Sequence, residues 1–392
     1  MAFEDLIAEL RDGMDRARRL ARPASPTTAP PQGVADIRAS LEASRAAVAE
    51  NEAKPAPPFP AESARLAIAT TPELARSLVL PLLKARFPNG EVSEELDSRA
   101  FSEVVALDAV ALLAHPDASA IPVDLASLAA QPWLASSDQV ESLQRRVGKA
   151  LTLREVADPP HALVANNDAR ALALYHQCKP GLAARFLPLQ PAADARALAA
   201  SPFTIATEDY ALAYRIIGAV APQAPAARKF LDYLTSDPGQ DRIAEAGFVD
   251  LRLRHRQEQV DPTILAVLAQ ALNLQSIAGA SRYSTNLRFR VDEHRLDIKA
   301  QADLGRLPRS LARDFPNGKV VILGFTDSSG SAEHNHGLSI KRAEFIAAEL
   351  KPFGIDAAAA GLGQQLPIDT NETERGRMRN RRAEVWVVKP EN

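Results

Sequence analysis

Apolar positions change their spacing several times along the chain, and each change marks a new element. Phe3, Leu6, Ile7 and Leu10 recur at helical spacing. Arg16, Arg18, Arg19 and Arg22 close that segment, which suits the negative end of a helix dipole. Pro23 to Pro31 lacks the apolar residues to pack a core. Val34 to Asn51 reads as a second helix, with Ile37, Leu41 and Val48 on one side, before Pro55 to Pro60 interrupts again. From 64 to 253 short apolar runs alternate with helical patterns, as in an α/β fold. Pro262 to Leu274 is predicted to be a helix whose Ile264, Leu265, Leu268 and Leu272 need a partner to pack on.

The C-terminal part alternates more clearly. Leu287-Arg-Phe289 reads as a strand and Leu296 to Leu304 as an amphipathic helix. Val320 to Leu323 is a buried strand bounded by Pro316-Asn-Gly318 and Gly324. Thr326 to Gly330 carries turn residues. Asn335 is predicted to cap a helix running to about Leu350, with Ala343, Ile346, Ala347 and Leu350 on its apolar face and Arg342 beside it. Ile355 to Leu362 and Val385 to Val388 supply the last strands. The order is β-α-β-α-β-α-β. The expected architecture is multidomain α/β: a helical, Pro-rich stalk over 1–62, an α/β domain over 63–254, a linker helix over 255–280, and a mixed-sheet domain over 281–392.

Composition narrows the function classes. The 392 residues carry a net charge of −3, which argues against a general nucleic-acid binder. Cys178 is the single cysteine, so no intrachain disulfide can form. No stretch reaches the roughly 18 to 20 apolar residues of a membrane span. Met1 to Asp12 is amphipathic and acidic, unlike an export signal. No Gly-rich nucleotide loop or zinc pattern is readable, so no cofactor, metal or catalytic constellation is expected. His334 and His336 are expected on an exposed loop. Arg375, Arg377, Arg379, Arg381 and Arg382, with Glu372, Glu374 and Glu384, read as a mixed-charge surface.

The chemistry concentrates in one stretch. Asp327 follows a strand and Arg342 lies in the next helix, so both can face one edge of an α/β layer. A carboxylate accepts from an ammonium and a guanidinium forks onto a carboxylate, which together suit a zwitterionic ligand. A structural ion pair with a helix cap fits the same residue types. The segments Gly324-Phe-Thr-Asp-Ser-Ser-Gly330, Asn335-His-Gly-Leu-Ser-Ile-Lys-Arg342-Ala and Gly376-Arg-Met-Arg-Asn-Arg-Arg-Ala-Glu384 resemble, in order and spacing, the OmpA-like peptidoglycan-binding domain. The resemblance covers roughly residues 281 to 392. It implies that Asp327 takes the ammonium and Arg342 the carboxylate of diaminopimelate in the wall's stem peptide. It also implies that Thr326, Asn335 and Leu338 surround the pocket and that Arg381 or Arg382 lines or braces it. Phe325 stands where the family usually has His, and His336 and Gly337 are unusual at the start of that helix.

The middle part resembles the substrate-binding proteins of phosphate ABC transporters. The likeness rests on Leu66 to Thr71 with the following Pro72-Glu-Leu, Val105 to Asp117, Phe203 to Arg215, and Phe230 to Gln240 with Ala246 to Val249. It implies an anion site drawing on Thr70, Thr71 and Arg99. The Gly/Ser-rich phosphate loop expected between 90 and 97 is absent, as is an Arg-x-x-Ser-Gly-Thr loop around 135 to 170, where Gln139 to Leu153 reads as a charged helix. The expectation is a shortened binding-protein fold that has lost phosphate binding or binds something else. The function expected overall is a non-enzymatic envelope protein, periplasmic, that grips peptidoglycan and uses its middle domain for a small solute or another envelope protein. Contact with a membrane would require a segment before Met1. The alternatives are a wall-tethered solute receptor and a cytoplasmic scaffold.

Overall fold

The computed structural model describes residues 67–70, 74–79, 81–82, 91–93, 101–166, 168–178, 181–221, 225–257, 260–289 and 295–388. The expected helices and Pro-rich linkers before residue 62 lie outside these. The chain gathers into two compact units, one within 1–103 and 217–233, the other from 104–216 and 234–392.

In the first unit β1 (Ala67–Ala69) pairs in parallel with β2 (Glu91–Ser93). It pairs antiparallel with the end of β10 (Ala213–Val220), Ile68 opposite Val220. Leu74 and Val79 are fully buried there, and α4 (Pro225–Thr235) buries Phe230 and Leu231.

The second unit begins with a middle layer. Its elements are β3 (Phe101–Ala114), β4 (Val123–Asp124), β5 (Pro132–Ser136), α1 (Val140–Val147) and β6 (Thr152–Val156). They continue as α2 (Pro159–Val164), β7 (Arg170–Leu174), β8 (Arg185–Phe186), β9 (Leu189–Gln190), α3 (Pro202–Ala206) and, after β10, α5 (Asp237–Glu245). β3 runs antiparallel to β7 and β8, whereas β5 runs parallel to β6 and β7. Val104 to Leu113 is buried at every position and apolar at all but Asp108, as expected of a strand covered on both faces. The helix expected from Gln139 to Leu153 stops early. Gly148 takes φ +70 and accepts the left-handed C-cap, and Thr152 onward becomes β6.

The C-terminal part of the unit is β11 (His255–Gln257), α6 (Pro262–Ala271), β12 (Ser281–Arg288), α7 (Ile298–Asp314), β13 (Lys319–Gly324), α8 (Ala332–Leu350), β14 (Ala357–Gly361), α9 (Glu374–Asn380) and β15 (Arg382–Val388). From β12 onward this is the β-α-β-α-β-α-β order expected. The sheet order is β11-β12-β15-β13-β14, with β13 and β14 parallel and the other pairs antiparallel. Alternation sorts side chains to two faces. Val320, Ile322, Val385 and Val387 join Leu307, Leu311, Ile346 and Leu350 from α7 and α8. Val321, Leu323, Phe325 and Trp386 meet Ile264 and Leu268 of α6. The helix over 262–271 therefore packs on the C-terminal sheet, which answers the need its apolar face announced.

β12 departs from ordinary alternation. Tyr283 and Leu287 enter the core, but Arg282, Ser284, Asn286 and Arg288 are buried as well. Ser284 pairs with the Arg254 backbone, its N–H donating to the Arg254 carbonyl (2.7 Å) and its hydroxyl accepting from the Arg254 N–H (2.9 Å), while Arg282, Asn286 and Arg288 find partners at residues 207–209. Arg282 donates to Asp209 (2.8 Å), and Asn286 donates to the Asp209 carboxylate (2.6 Å) and the Thr207 carbonyl (2.8 Å). Glu208, at φ +56, accepts two hydrogen bonds from Arg215 (2.8 and 2.7 Å) and lies 3.4 Å from Arg288. Burial alone would raise its pKa, but Arg215 and Arg288 outweigh that and hold the carboxyl well below the usual range. Arg215 also reaches Asp297 (2.8 Å), whose other oxygen caps α7 at the Ala300 N–H.

Candidate functional site

The loop after β13 carries the acidic motif. Gly324 ends that strand in close contact with α8, since a Cβ there would lie 1.9 Å from the Ser339 carbonyl oxygen. The Ser339 hydroxyl donates to the His336 carbonyl (2.7 Å) and accepts from the Gly363 N–H (3.0 Å). Gly363 in turn accepts from the Thr326 N–H (2.8 Å). Ser339 therefore pins helix, loop 362–364 and acidic loop together, a role the motif had not suggested.

Asp327 is 7 % exposed. One carboxylate oxygen accepts from the Ser329 N–H (2.9 Å), an Asx turn, and the other accepts from Arg381 (2.7 Å). Burial pushes this carboxyl up, but the Arg381 and Ser329 hydrogen bonds prevail and keep it below the ordinary carboxylate range. Arg381 donates its second terminal nitrogen to Glu374 (2.7 Å). Asn371 accepts from the Ser328 N–H (3.2 Å) and from the Asn380 amide (2.9 Å), closing the loop's outer side. The site thus presents an ionised acceptor braced by a buried cation, suited to a cationic group that approaches the open part of the loop.

The other motif residues are placed as follows. Asn335 does not cap α8. Ser331 does, accepting from the His334 N–H (3.2 Å), and the helix starts at Ala332. Asn335 lies inside the first turns and donates to the Asp327 carbonyl (3.2 Å) and to Gln364 (2.9 Å). Thr326 is buried next to Asp327, and Leu338 is half-buried on α8. Arg342, 1 % exposed, lies over the Phe289 ring at 5.2 Å. The Phe289 N–H donates to the Arg381 carbonyl (3.2 Å). Arg382 stacks on Phe325 at 3.8 Å and donates to Glu384 (2.9 Å) and the Leu366 carbonyl (3.2 Å). Phe325, where a His was expected, is thus the platform for Arg382.

Two further expectations are corrected. His334 and His336 are exposed, but on α8 and not on a loop. The Arg block is a mixed surface only in part: Glu372, Glu374 and Arg375 are exposed, but Arg379, Arg381, Arg382 and Glu384 are buried. Buried acceptors offset the usual preference of Arg for solvent: carbonyls of residues 208–213 for Arg379, Asp327 for Arg381, and the neighbouring Glu384 for Arg382. In the middle layer, Asp108 and His176 form a constellation the sequence had not disclosed. Asp108 accepts from His176 Nδ1 (2.8 Å), the His176 N–H (3.0 Å) and Tyr214 (2.6 Å), while burial pushes the Cys178 thiol up to about 12. A thiol so raised stays protonated and is a poor nucleophile.

For the anion residues, Thr70 is buried and its hydroxyl has no hydrogen-bond partner among the described residues. Thr71 and Arg99 lie outside them. Before α1, the Gln139 side chain accepts from the Leu174 N–H (2.9 Å) and donates to Gln177. Among the described residues no group of three or more His, Cys, Asp or Glu gathers as a metal set. A groove of about 440 Å³, lined by Leu274, Ile277, Gly279, Lys319 and Val388 among others, lies at the start of β13, whereas Asp327 follows its end.

Comparison with known proteins agrees with the C-terminal geometry. The profile of the OmpA family matches residues 288–381. The C-terminal domain is an OmpA-family domain. The chain is 38 % identical over 78 residues to the probable lipoprotein YiaD of Escherichia coli, covering 19 % of this chain and 36 % of that protein. It is 41 % identical over 75 residues to the peptidoglycan-binding protein ArfA of Mycobacterium tuberculosis, covering 18 % of this chain and 23 % of that one. The chain therefore spans about a third or less of these relatives. A possible phosphate binding protein from Planctomyces limnophilus is 11 % identical with a TM-score of 0.38, covering 46 % of this chain and 89 % of that one.

Proposed function

We propose that this is a non-enzymatic protein of the bacterial cell envelope, acting in the periplasm, whose C-terminal domain holds peptidoglycan non-covalently. The ligand group is the free amino-acid end of diaminopimelate in the stem peptide. Asp327 takes the ammonium and Arg342 the carboxylate, with Thr326, Asn335 and Leu338 around them and Arg381 bracing Asp327. The observation that carries the reading is the Asp327 carboxylate, kept ionised by Arg381 in a loop whose order of residues is that of the OmpA family. A relative named for peptidoglycan binding supports it. The middle domain, in this reading, receives a small solute or another envelope protein.

The test is a sacculus pull-down with the purified chain. Arg342→Ala abolishes retention and Asp327→Ala weakens it strongly, because losing one member of a charged, hydrogen-bonded pair costs about 2–5 kcal/mol. Retention of the Arg342→Ala protein at the unaltered level, with its circular dichroism intact, refutes the assignment.

A further inference from the structure

We propose that Glu374, Arg375 and Arg379 are positioning residues for the Asp327 site, and that segment 208–213 of the middle layer belongs to the frame that sets its affinity. The inference rests on the peptidoglycan reading above and says what holds that site in shape.

The reasoning begins at Arg381. This guanidinium touches Asp327 with one nitrogen and Glu374 with the other, at 2.7 Å each. Glu374 opens α9 and Arg381 directly follows it, so both ends of the brace ride on one short helix. A helix of 7 residues has too few internal hydrogen bonds to hold its own place. Its one large apolar side chain, Met378, is 47 % exposed, so core packing does not fix it either. On one side Asn380 ties it to residues 368–369, accepting from the Ile368 N–H (2.9 Å) and donating to the Asp369 carbonyl (2.8 Å). On the other side the middle layer holds it. Arg379 donates to the carbonyls of Tyr210 (2.7 Å), Ala213 (2.8 Å) and Glu208 (3.2 Å), and Arg375 donates to those of Ala211 (3.3 Å) and Ala213 (3.4 Å). A binding group must be held within about half an ångström of its productive position. Release of this grip lets α9 shift, and Arg381 shifts with it relative to Asp327.

The experiment uses the full chain and a soluble stem peptide containing diaminopimelate, with affinity read by calorimetry across pH. Glu374→Ala and Arg375→Ala alter exposed residues and leave the fold standing; Arg379→Lys tests the buried grip. Each is expected to weaken binding about 2- to 30-fold, the range of coupling energies for residues that do not touch the ligand. In Arg375→Ala and Arg379→Lys the acid limb of binding also moves to higher pH, because Asp327 loses part of the stabilisation from Arg381; Glu374→Ala also frees Arg381 from a competing carboxylate and is read by affinity. Arg381 is ion-paired to Asp327 and Glu374 to Arg381, and in the reading above Arg342 lies across the ligand from Asp327. A purely structural role would lower melting temperature without moving that limb. Binding that is lost in Asp327→Ala but unchanged in affinity and pH profile in Glu374→Ala and Arg375→Ala overturns this proposal alone. Absence of binding by the unaltered chain overturns the peptidoglycan reading together with it.

Discussion

Glu208 offers a quantitative test of how the middle layer and the C-terminal sheet are joined within one unit. Its carboxylate is buried and takes both arms of Arg215, with Arg288 alongside. Breaking a buried pair by deleting one partner costs about 3–5 kcal/mol. Here the loss falls toward the lower end. Arg215 keeps Asp297 at 2.8 Å and Arg288 keeps the Glu208 carbonyl at 3.1 Å, so neither cation is stranded. Glu208→Ala should therefore destabilise by about 3 kcal/mol. Its backbone adds a second handle. At φ +56 a side chain is strained and Gly is not, so Glu208→Gly should be about 1 kcal/mol more stable than Glu208→Ala despite losing the same carboxylate. Denaturant titration followed by fluorescence and circular dichroism measures both. The pH dependence carries a sign. The folded carboxyl lies below its unfolded value, so its contribution is full above about pH 4.3 and shrinks as pH falls toward the depressed folded pKa. The gap between unaltered chain and Glu208→Ala must narrow in acid. Equal stability of the Ala and Gly variants refutes the backbone argument, and a gap that widens in acid refutes the electrostatic one.

Other outcomes can be checked more simply. Gly324→Ala places a Cβ against the Ser339 carbonyl and should cost about 1–3 kcal/mol by denaturation while weakening sacculus retention. Retention should stay flat from neutral pH down to about 4 and fall below that, because Asp327 is held under the ordinary carboxylate range; loss near pH 6 contradicts this. Phosphate titrated into the full chain should bind no tighter than roughly millimolar, since too few donors replace the anion's hydration; a micromolar constant by calorimetry overturns it.

The C-terminal order of strands and helices was legible because its apolar periods change cleanly, as at Val320 to Leu323 and again at Ala343 to Leu350. The loop with Asp327 was legible from turn residues and spacing. Asn335 was misplaced because Asn is as good a cap as Ser, and Ser331 lay within the stretch read as loop. The Arg block was misread for a different reason. The partners of Arg379 sit at positions 208 to 213, and no local pattern announces an acceptor that distant. β12 hides its role in the same way: Arg282, Ser284, Asn286 and Arg288 alternate as on a half-exposed strand, yet residues 207–209 pair with Arg282, Asn286 and Arg288, and Arg254 pairs with Ser284. Ser339 gave no signal because its hydroxyl bonds backbone groups brought close by folding alone.

The grip of Arg375 and Arg379 on the middle layer ends on main-chain oxygens, and this choice of acceptor shapes how the joint can fail. Every residue type carries a carbonyl, so replacing Tyr210, Ala211 or Ala213 one at a time deletes no acceptor. A mutational scan there will not register the grip itself, although Tyr210 will register through its own buried ring and its hydrogen bond to the Val110 carbonyl, while the two arginines register at once. What the loop cannot tolerate is a change of path: one inserted residue re-aims the carbonyls as a set and removes the acceptors together. The attachment is thus indifferent to spelling and sensitive to length.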